Sequence, residues 1–424
     1  MPCTRAHLRW GEARTIDMRP SVLVPSAEGR SPPSRSRVLW LSCVAHALHD
    51  GYTDMIYALL PVWQADFGLD FAGLAILRGI YAGTMATLQI PAGHLAKQWG
   101  SRATLALGTL LAALGYALAG MSGGLAGLCV ALAISGSGSS TQHPIASGAV
   151  ARAYDREARG PLSIYNFSGD LGKSALPATI SLLVTMMSWR HALWVVAAVG
   201  CVTAAVIALS FPNLARRETP DRSAPAQRSP ASGKGFSWLF AIGVLDTAVR
   251  MGLLTFLPFL LKAKGVSPQL TGTALALVFI GGAAGKFVCG WIGARVGVVH
   301  TVLLTEGGTA ACIVAVMFLP LASTLVLLPI LGMMLNGTSS VLYGTVPDMC
   351  PPERTERAFA LFYTGTIASG ALSPVLYGYL GDRVGVHGAT VATAFTALAI
   401  FPLAIALRSY LSDNRKEVDT HDDV

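Results

Sequence analysis

The sequence predicts an all-α integral membrane protein with twelve transmembrane helices in two pseudo-symmetric six-helix bundles. Of its 424 residues, 53% are hydrophobic and only 13% are charged, whereas soluble domains carry about 25% charged residues. Twelve apolar segments are long enough to cross a bilayer, and the longest polar connection separates the sixth from the seventh. These observations exclude a soluble protein, because so much apolar surface needs lipid around it.

A bilayer crossing takes about 20 helical residues. The segments of that length are 38–60, 71–95, 103–120, 124–148, 162–186, 190–211, 236–261, 270–293, 299–319, 323–347, 358–380 and 387–408. They predict an N-terminal bundle over 38–211 and a C-terminal bundle over 236–408. The arginine- and proline-rich stretch 212–235 is predicted to be a cytoplasmic linker. Residues 1–37 have no apolar run and are predicted to be a disordered cytoplasmic tail, and 409–424 a second cytoplasmic tail.

The distribution of positive charge predicts the orientation. With the N-terminus inside, 23 of the 31 Lys and Arg residues fall in cytoplasmic segments, 4 in the opposite loops and 4 within spans. This asymmetry predicts a multi-pass protein of the plasma (inner) membrane with both termini cytoplasmic. It also accounts for the net charge of +8 without a nucleic-acid partner. The seven cysteines show no metal-binding spacing, so we expect no metal site.

A weak internal repeat supports the division into two halves. Gly138-Ser-Ser in the fourth segment recurs as Thr338-Ser-Ser in the tenth, 200 residues later. A spaced Arg-Tyr-Gly pattern that begins at Arg159 recurs from Arg357, 198 residues later. Duplicated transporter folds have such repeats.

Polar residues in the first and fifth segments are the first candidates for a functional site. An ionised group at mid-membrane costs about 2.5–3.5 kcal/mol or more, so such residues usually face an interior path. The first segment carries a polar stripe on one helix face, and the fifth carries an acid and a base three residues apart. The candidates in these segments are His46, His49, Asp50, Asp54, Tyr57, Asn166, Asp170 and Lys173.

Helix geometry predicts a contact between two of these candidates. From the cytoplasmic end of each segment, Asp50 lies ~18 Å deep and Lys173 ~17 Å deep, so the two can meet near mid-membrane. The functional interpretation is a protonatable carboxylate whose proton affinity is controlled by burial and by the lysine. Two structural interpretations stay open: Asp50 and Lys173 hold two helices together, or Asp170 and Lys173 form a self-neutralising pair.

The remaining intramembrane charges predict further pairs. Arg78 and Asp54 lie at similar depth, which predicts an ion pair. Asp246 and Arg250 are four residues apart in the seventh segment, either as a second cavity pair or as a local structural one.

Three more positions lie near the cytoplasmic ends of their segments. Lys286 and Glu306 are interpreted as a structural or gating salt bridge. His143 is interpreted as a gate residue or as a packing residue at a helix end. Neutral hydrogen-bonding side chains of the tenth and eleventh segments are candidates for the other pocket wall: Asn336, Ser339, Ser340, Tyr343, Tyr363 and Thr366.

A glycine-bounded loop motif occurs three times. The first copy runs from Gly93 through Lys97 and Gly100 to Arg102, the second covers 290–297 and the third covers 378–385. The first copy resembles the loop signature of the major facilitator superfamily, G-x-L-a-D-r-x-G-r-[kr], except that Lys97 stands where the family's aspartate belongs. The resemblance covers residues 38–408.

That resemblance implies conformational gating by the motif. The third copy retains the acid, as Asp382 followed by Arg383. The resemblance therefore implies that gating involves Gly93, Lys97, Gly100, Arg102, Asp382 and Arg383. It also implies that spans one and five line a central cavity.

Part of the first half resembles a narrower branch of that superfamily. The His46–Asp50 spacing, the block Gly136-Ser-Gly-Ser-Ser-Thr-Gln-His143-Pro and the glycine-rich stretch 168–177 are similar to the fosmidomycin-resistance branch of drug exporters. This chain departs from that branch by carrying Asp170 and Lys173 where small neutral residues are typical.

These features together predict a transporter driven by an ion gradient. The chain has no P-loop, which argues against ATP as the energy source, and buried Asp and His groups suit protons. We therefore expect a monomeric, proton-coupled secondary transporter of a small anionic or zwitterionic organic solute, without cofactors and without enzymatic activity. Efflux by antiport follows from the family resemblance alone. Uptake of an organic acid by proton symport, and more distantly a non-transporting membrane sensor, are the alternatives.

Overall fold

A computed structural model describes residues 35–212, 233–351 and 354–422. Nearly all of the predicted N-terminal tail and most of the predicted linker lie outside the described residues. The last helix continues beyond residue 408 to Asp422, so most of the predicted C-terminal tail is helical.

The described chain is almost entirely helical and crosses the molecule twelve times. Helices α2 and α11 each contain two crossings, and the fourth crossing is made by α3 and α4 joined through a π-helical turn. The helices are α1 Arg35–Phe67, α2 Phe71–Ala119, α3 Leu125–Ser139, α4 Gly148–Tyr154, α5 Arg159–Met186, α6 Trp189–Ser210, α7 Lys234–Ala263, α8 Pro268–Val296, α9 Val298–Phe318, α10 Leu321–Thr345 and α11 Thr355–Asp422. Because the number of crossings is even, both ends of the described chain lie on the same side of the molecule. We call this side the terminal face and the opposite side the far face.

Seven of the described helices are long and apolar enough to span a membrane on length and composition alone. They include α2 and most of α11, each of which is long enough for two crossings. Helices α1 and α5 are not among the seven, and these are the helices that carry the ionisable residues of the first and fifth segments.

The final glycine of each copy of the loop motif has a positive φ. The φ angles are 84° at Gly100, 86° at Gly297 and 74° at Gly385. A residue with a Cβ is strained in this region. The final glycine of each copy therefore turns the chain sharply from one crossing into the next.

The hydrophobic core is shared at the far side and split at the terminal side. The largest cluster of buried residues contains side chains of both bundles, such as Leu60 and Leu257. Two smaller clusters lie towards the terminal face, one within each bundle, around Phe211 and around Phe236. The two bundles are thus joined mainly through their far halves.

At the far side, helices of the two bundles pack tightly against each other, α5 against α8 and α2 against α11. A Cβ on Gly272 of α8 would lie 2.4 Å from the Cβ of Ser181 on α5, so only glycine allows this approach. Asp382 of α11 accepts hydrogen bonds from the backbone N–H groups of Phe71, at 2.7 Å, and Ala72, at 2.9 Å. These are free donors in the first turn of α2. We call this contact of Asp382 with the start of α2 the far-face latch.

Candidate functional site

A cavity of about 190 Å³ lies between the two bundles at mid-membrane. Helices α1, α2 and α5 and the π-helical turn form one wall, and α7, α8 and α10 form the other. Four cationic and three acidic side chains line it, together with one histidine. These ionisable residues are Asp50, Asp54, Arg78, His143, Asp170, Lys173, Arg250 and Lys286.

Asp50 is the centre of the charged network on the N-terminal wall. Its carboxylate lies 3.2 Å from the Nζ of Lys173, so the predicted contact between α1 and α5 is present. The same carboxylate lies 3.4 Å from Nε2 of His46 and 3.9 Å from Nε2 of both His49 and His143. Asp50 is buried, whereas the side chain of His143 is 45% exposed. The cluster therefore reaches the cavity through His143.

The ring of His46 is held in one orientation. Its Nδ1 is hydrogen-bonded to the backbone carbonyl of Tyr165 at 2.8 Å, and its ring stacks on the Tyr165 ring at 4.0 Å. A carbonyl only accepts, so Nδ1 carries a proton and Nε2 is directed at Asp50. Among the described residues, His46 Nε2 and both ring nitrogens of His49 have no hydrogen-bond partner. A proton that binds here would satisfy an otherwise unpaired nitrogen.

His143 reaches this cluster because the fourth crossing is interrupted. The regular helix α3 ends at Ser139, and a π-helical turn runs from His143 to Ser147. Pro144 has no N–H and cannot continue the hydrogen-bond ladder, and such turns are common at functional sites. His143 therefore lies at the cavity wall.

The same cluster contains three potential metal ligands. Atoms of His46, Asp50 and His143 lie within 4.8 Å of one another. The spacing analysis of the sequence did not identify this group, because the residues belong to two separate crossings. The ammonium group of Lys173 already neutralises Asp50 at 3.2 Å and would repel a metal cation.

Asp170 connects the two bundles. Its carboxylate accepts two hydrogen bonds from Lys286 Nζ, at 2.6 Å and 2.8 Å, and lies 3.9 Å from Lys173 Nζ. The predicted salt bridge between Lys286 and Glu306 was wrong. Lys286 faces α5 across the cavity, whereas Glu306 faces α10 within its own bundle and accepts a hydrogen bond from Thr338 at 2.8 Å.

The predicted ion pair between Asp54 and Arg78 was also wrong. Arg78 donates from Nε to the hydroxyl of Tyr57 at 3.1 Å and lies over the rings of Tyr57 and Tyr81. Its buried Nη1 has no hydrogen-bond partner among the described residues. Asp54 lines the cavity without a salt bridge to any residue that the structure describes. Both residues line the cavity.

The predicted pair of α7 is present and reaches the cavity. Arg250 Nη2 lies 3.2 Å from Asp246, and Arg250 lines the cavity. Asp246 is buried behind it, close to the carboxyl group of Glu306.

Other candidates lie elsewhere. Asn166 is exposed and is not part of the cavity lining, and of the neutral candidates in α10 and α11 only Asn336 lines it. In the loop motifs, Asp382 forms the far-face latch, whereas Lys97 is exposed. Arg383 donates to the hydroxyl of Tyr379 in its own helix.

Sequence reasoning missed two contributors to the site. Lys286 was assigned to a pair within its own bundle, although it is one of only four Lys and Arg residues within spans, a signal that it lines a path. Tyr165 was noticed as part of the internal repeat, but nothing in the sequence indicates that its carbonyl and ring orient His46.

Comparison with known proteins is consistent with this architecture. The chain is 23% identical over 386 residues to the fosmidomycin resistance protein of Escherichia coli (strain K12), covering 89% of this chain and 93% of that protein. It is 24% identical over 389 residues to the probable sulfoacetate transporter SauU of Cupriavidus necator, covering 83% and 88%.

A solved structure shares the fold. It is a bacterial homolog of the human lysosomal transporter Spinster, in an inward-facing and unoccupied conformation, with a TM-score of 0.76 at 15% identity over 91% of this chain and 99% of that one. The family model of the Major Facilitator Superfamily matches residues 42–245 and 239–422, one match for each bundle. The chain is therefore a multi-pass integral membrane protein that belongs to the Major Facilitator Superfamily, a secondary transporter of small organic solutes and not an enzyme.

Proposed function

We propose that this transporter moves a small organic anion or zwitterion and couples its movement to protons. The observation that carries the proposal is the position of Asp50, on the cavity wall between three histidines and Lys173. Such a carboxylate can exchange a proton with the cavity through His143.

The substrate class follows from the distribution of charge in the cavity. The C-terminal wall contributes two cations, Arg250 and Lys286, and no acid to the lining. On the N-terminal wall, Arg78 has a buried nitrogen that finds no hydrogen-bond partner within the described part of the chain. An anionic group is the natural partner of these cations. One relative is named a probable sulfoacetate transporter, and sulfoacetate is an organic anion.

The contact between Asp50 and Lys173 also favours one mode of coupling. A proton on Asp50 removes the partner of Lys173, and the free ammonium group then attracts an anion more strongly. Proton and anion consequently assist each other in binding, which is symport by thermodynamic linkage. Antiport remains the second candidate, because the fosmidomycin resistance protein is a relative over most of its length.

We further propose that the terminal face is cytoplasmic, as the positive charge of the loops suggests. The split cores at that face would then make this conformation open towards the cytoplasm. Monomeric function in a plasma (inner) membrane belongs to the same proposal.

Transport in proteoliposomes tests the coupling. The probes are radiolabelled sulfoacetate and lactate, with choline as a cationic control. Symport is expected to give accumulation when the outside is acidic, and antiport when the inside is acidic. Accumulation that ignores the pH gradient would contradict proton coupling.

A matched pair of variants tests the role of Asp50. Asp50→Asn should abolish accumulation driven by a pH gradient and retain exchange of labelled for unlabelled substrate. Asp66→Asn is the control, because Asp66 forms an ion pair with Arg190 at 3.2 Å within the same bundle but outside the cavity. Equal losses in both variants would show that Asp50 has only a structural role.

A further inference from the structure

The carboxylate of Asp170 occupies a position that fits an anionic ligand. Both of its oxygens bond to Lys286 of the C-terminal bundle, and Lys173 of the N-terminal bundle lies 3.9 Å away. Two ammonium groups from opposite walls thus face one carboxylate. Charge-assisted hydrogen bonds to two oxygens are how proteins commonly bind carboxylates, sulfonates and phosphonates.

The surroundings argue against a purely structural pair. Asp170, Lys173 and Lys286 all line the cavity, and the Lys286 side chain is 38% exposed there. The pair also crosses the boundary between the two bundles. In alternating access one bundle rocks against the other. A contact across this boundary must therefore break or rearrange in every cycle, whereas an ion pair within one bundle can stay intact.

Lys173 and Lys286 each have a different nearest acidic partner. Asp50 is the nearer partner of Lys173, at 3.2 Å, and Asp170 is the acidic partner of Lys286 among the described residues. Lys286 without Asp170 would be a partly buried cation without an acidic partner among the described residues, which is unfavourable. Asp170 therefore stabilises the empty carrier, and an incoming anion can replace it.

We propose that Lys173 and Lys286 form the subsite for the anionic group of the substrate, and that Asp170 is a built-in counter-anion which the substrate displaces. This inference rests on the proposed function, because it assumes an anionic substrate. Asp170 lowers the affinity for anions, and it allows the empty carrier to change conformation with Lys286 neutralised. The loaded carrier has the substrate in the same place.

Binding and transport measurements on the full chain separate these roles. Binding of sulfoacetate is measured by thermal stabilisation in detergent, and net uptake and exchange are measured in proteoliposomes. Asp170→Asn is expected to bind sulfoacetate about tenfold more tightly, to retain exchange and to lose net uptake, since only net uptake requires the empty carrier to return. Lys286→Gln should bind about tenfold more weakly, and Lys286→Arg should stay close to wild type.

Several outcomes would overturn this inference. They are unchanged or weaker binding in Asp170→Asn, and wild-type binding in Lys286→Gln. The second result decides the matter even if Asp170→Asn does not fold. The control is Arg190→Gln, which removes an ion pair outside the cavity and should leave binding unchanged.

Failure of the proposed function looks different. If neither sulfoacetate nor lactate binds to the wild-type chain or to any variant, the anionic substrate class is wrong, and this inference falls with it. If sulfoacetate binds and its uptake follows the pH gradient, while both Asp170→Asn and Lys286→Gln bind as wild type, the proposed function stands, and both the subsite role of Lys286 and the counter-anion role of Asp170 are wrong.

Discussion

Each bundle carries buried acidic side chains near mid-membrane, and the two groups have different surroundings. In the N-terminal bundle, Asp50 lies on the cavity wall beside Lys173 and three histidines. In the C-terminal bundle, Asp246 and Glu306 lie close together behind Arg250, and Thr338 donates to Glu306. The N-terminal group belongs to the cavity lining, whereas the acids of the C-terminal group are not part of that lining.

This difference shows that the two bundles share a fold but not a chemistry. The glycine turns and helix order are repeated in both halves, as duplication predicts. The charges that reach the cavity are not repeated: all three acids come from the N-terminal bundle, and the C-terminal bundle contributes cations alone. Function therefore resides in side chains placed on a symmetric scaffold.

The strongest way to break this comparison is a matched pair of substitutions. Lys173→Gln should lower transport of sulfoacetate about 100-fold, equivalent to ~2.7 kcal/mol, because it leaves Asp50 without its cation and removes half of the anion subsite. Glu306→Gln should change transport by no more than about threefold, since a carboxamide still accepts from Thr338 and can donate to Asp246.

Initial transport rates at equal amounts of protein in the membrane measure both effects. If Glu306→Gln caused the larger loss, the acids of the C-terminal bundle would be the functional ones and the comparison would be reversed. Equal and small losses would remove Lys173 from the substrate site.

The contacts of Lys173 also show how far a sequence can predict such a site. Hydropathy predicted the twelve crossings, because lipid requires long apolar segments. Depth along the helices predicted that Asp50 meets Lys173. Depth failed for Arg78 and for Lys286, because it does not determine the rotation of a helix about its axis. Rotation turns Arg78 to Tyr57, and Lys286 across the cavity to Asp170.

Another limit concerns residues that are brought together by irregular backbone. No spacing rule links His143 to His46, which lies three crossings earlier, and their rings approach to 5.3 Å only through the π-helical turn. Likewise, Asp382 was associated with gating through a family motif, but its partner, the start of α2, follows only from the way the bundles pack.

The far-face latch offers an intermediate test of how the bundles are joined. Asp382→Ala removes a side-chain cap from the first turn of α2, which costs about 1 kcal/mol. We expect the conformation closed at the far face to lose about a factor of five in population. The measurement is the rate at which a membrane-impermeant maleimide, added at the far face, labels a cysteine introduced at Ala283 in the cavity lining.

Faster labelling by about that factor is expected in Asp382→Ala. Arg383→Ala is the control, since the contact that the structure describes for the Arg383 side chain is with Tyr379 of its own helix. If both variants labelled at the wild-type rate, closure of the far face would depend on the packing of α5 with α8 and of α2 with α11, and not on the latch.

The smallest expected effect tests the symmetry of the scaffold itself. Gly100 and Gly297 are the final glycines of equivalent motif copies, with φ angles of 84° and 86°, and a Cβ at either would meet no neighbouring atom of the described residues within 4 Å. Alanine there has no steric clash with the described neighbours, so the main cost is backbone strain, because ψ is 157° at Gly100 and 162° at Gly297 and this combination with a positive φ is essentially restricted to glycine, at about 1–3 kcal/mol. Gly100→Ala and Gly297→Ala should therefore lower thermal stability in detergent by similar amounts, with transport retained.

Gly93→Ala, at a position without positive φ and with open space around it, should have little effect. A loss confined to Gly100→Ala would mean that the loop of the N-terminal bundle has a task which its counterpart lacks, and the symmetry of the scaffold would then end at the loops.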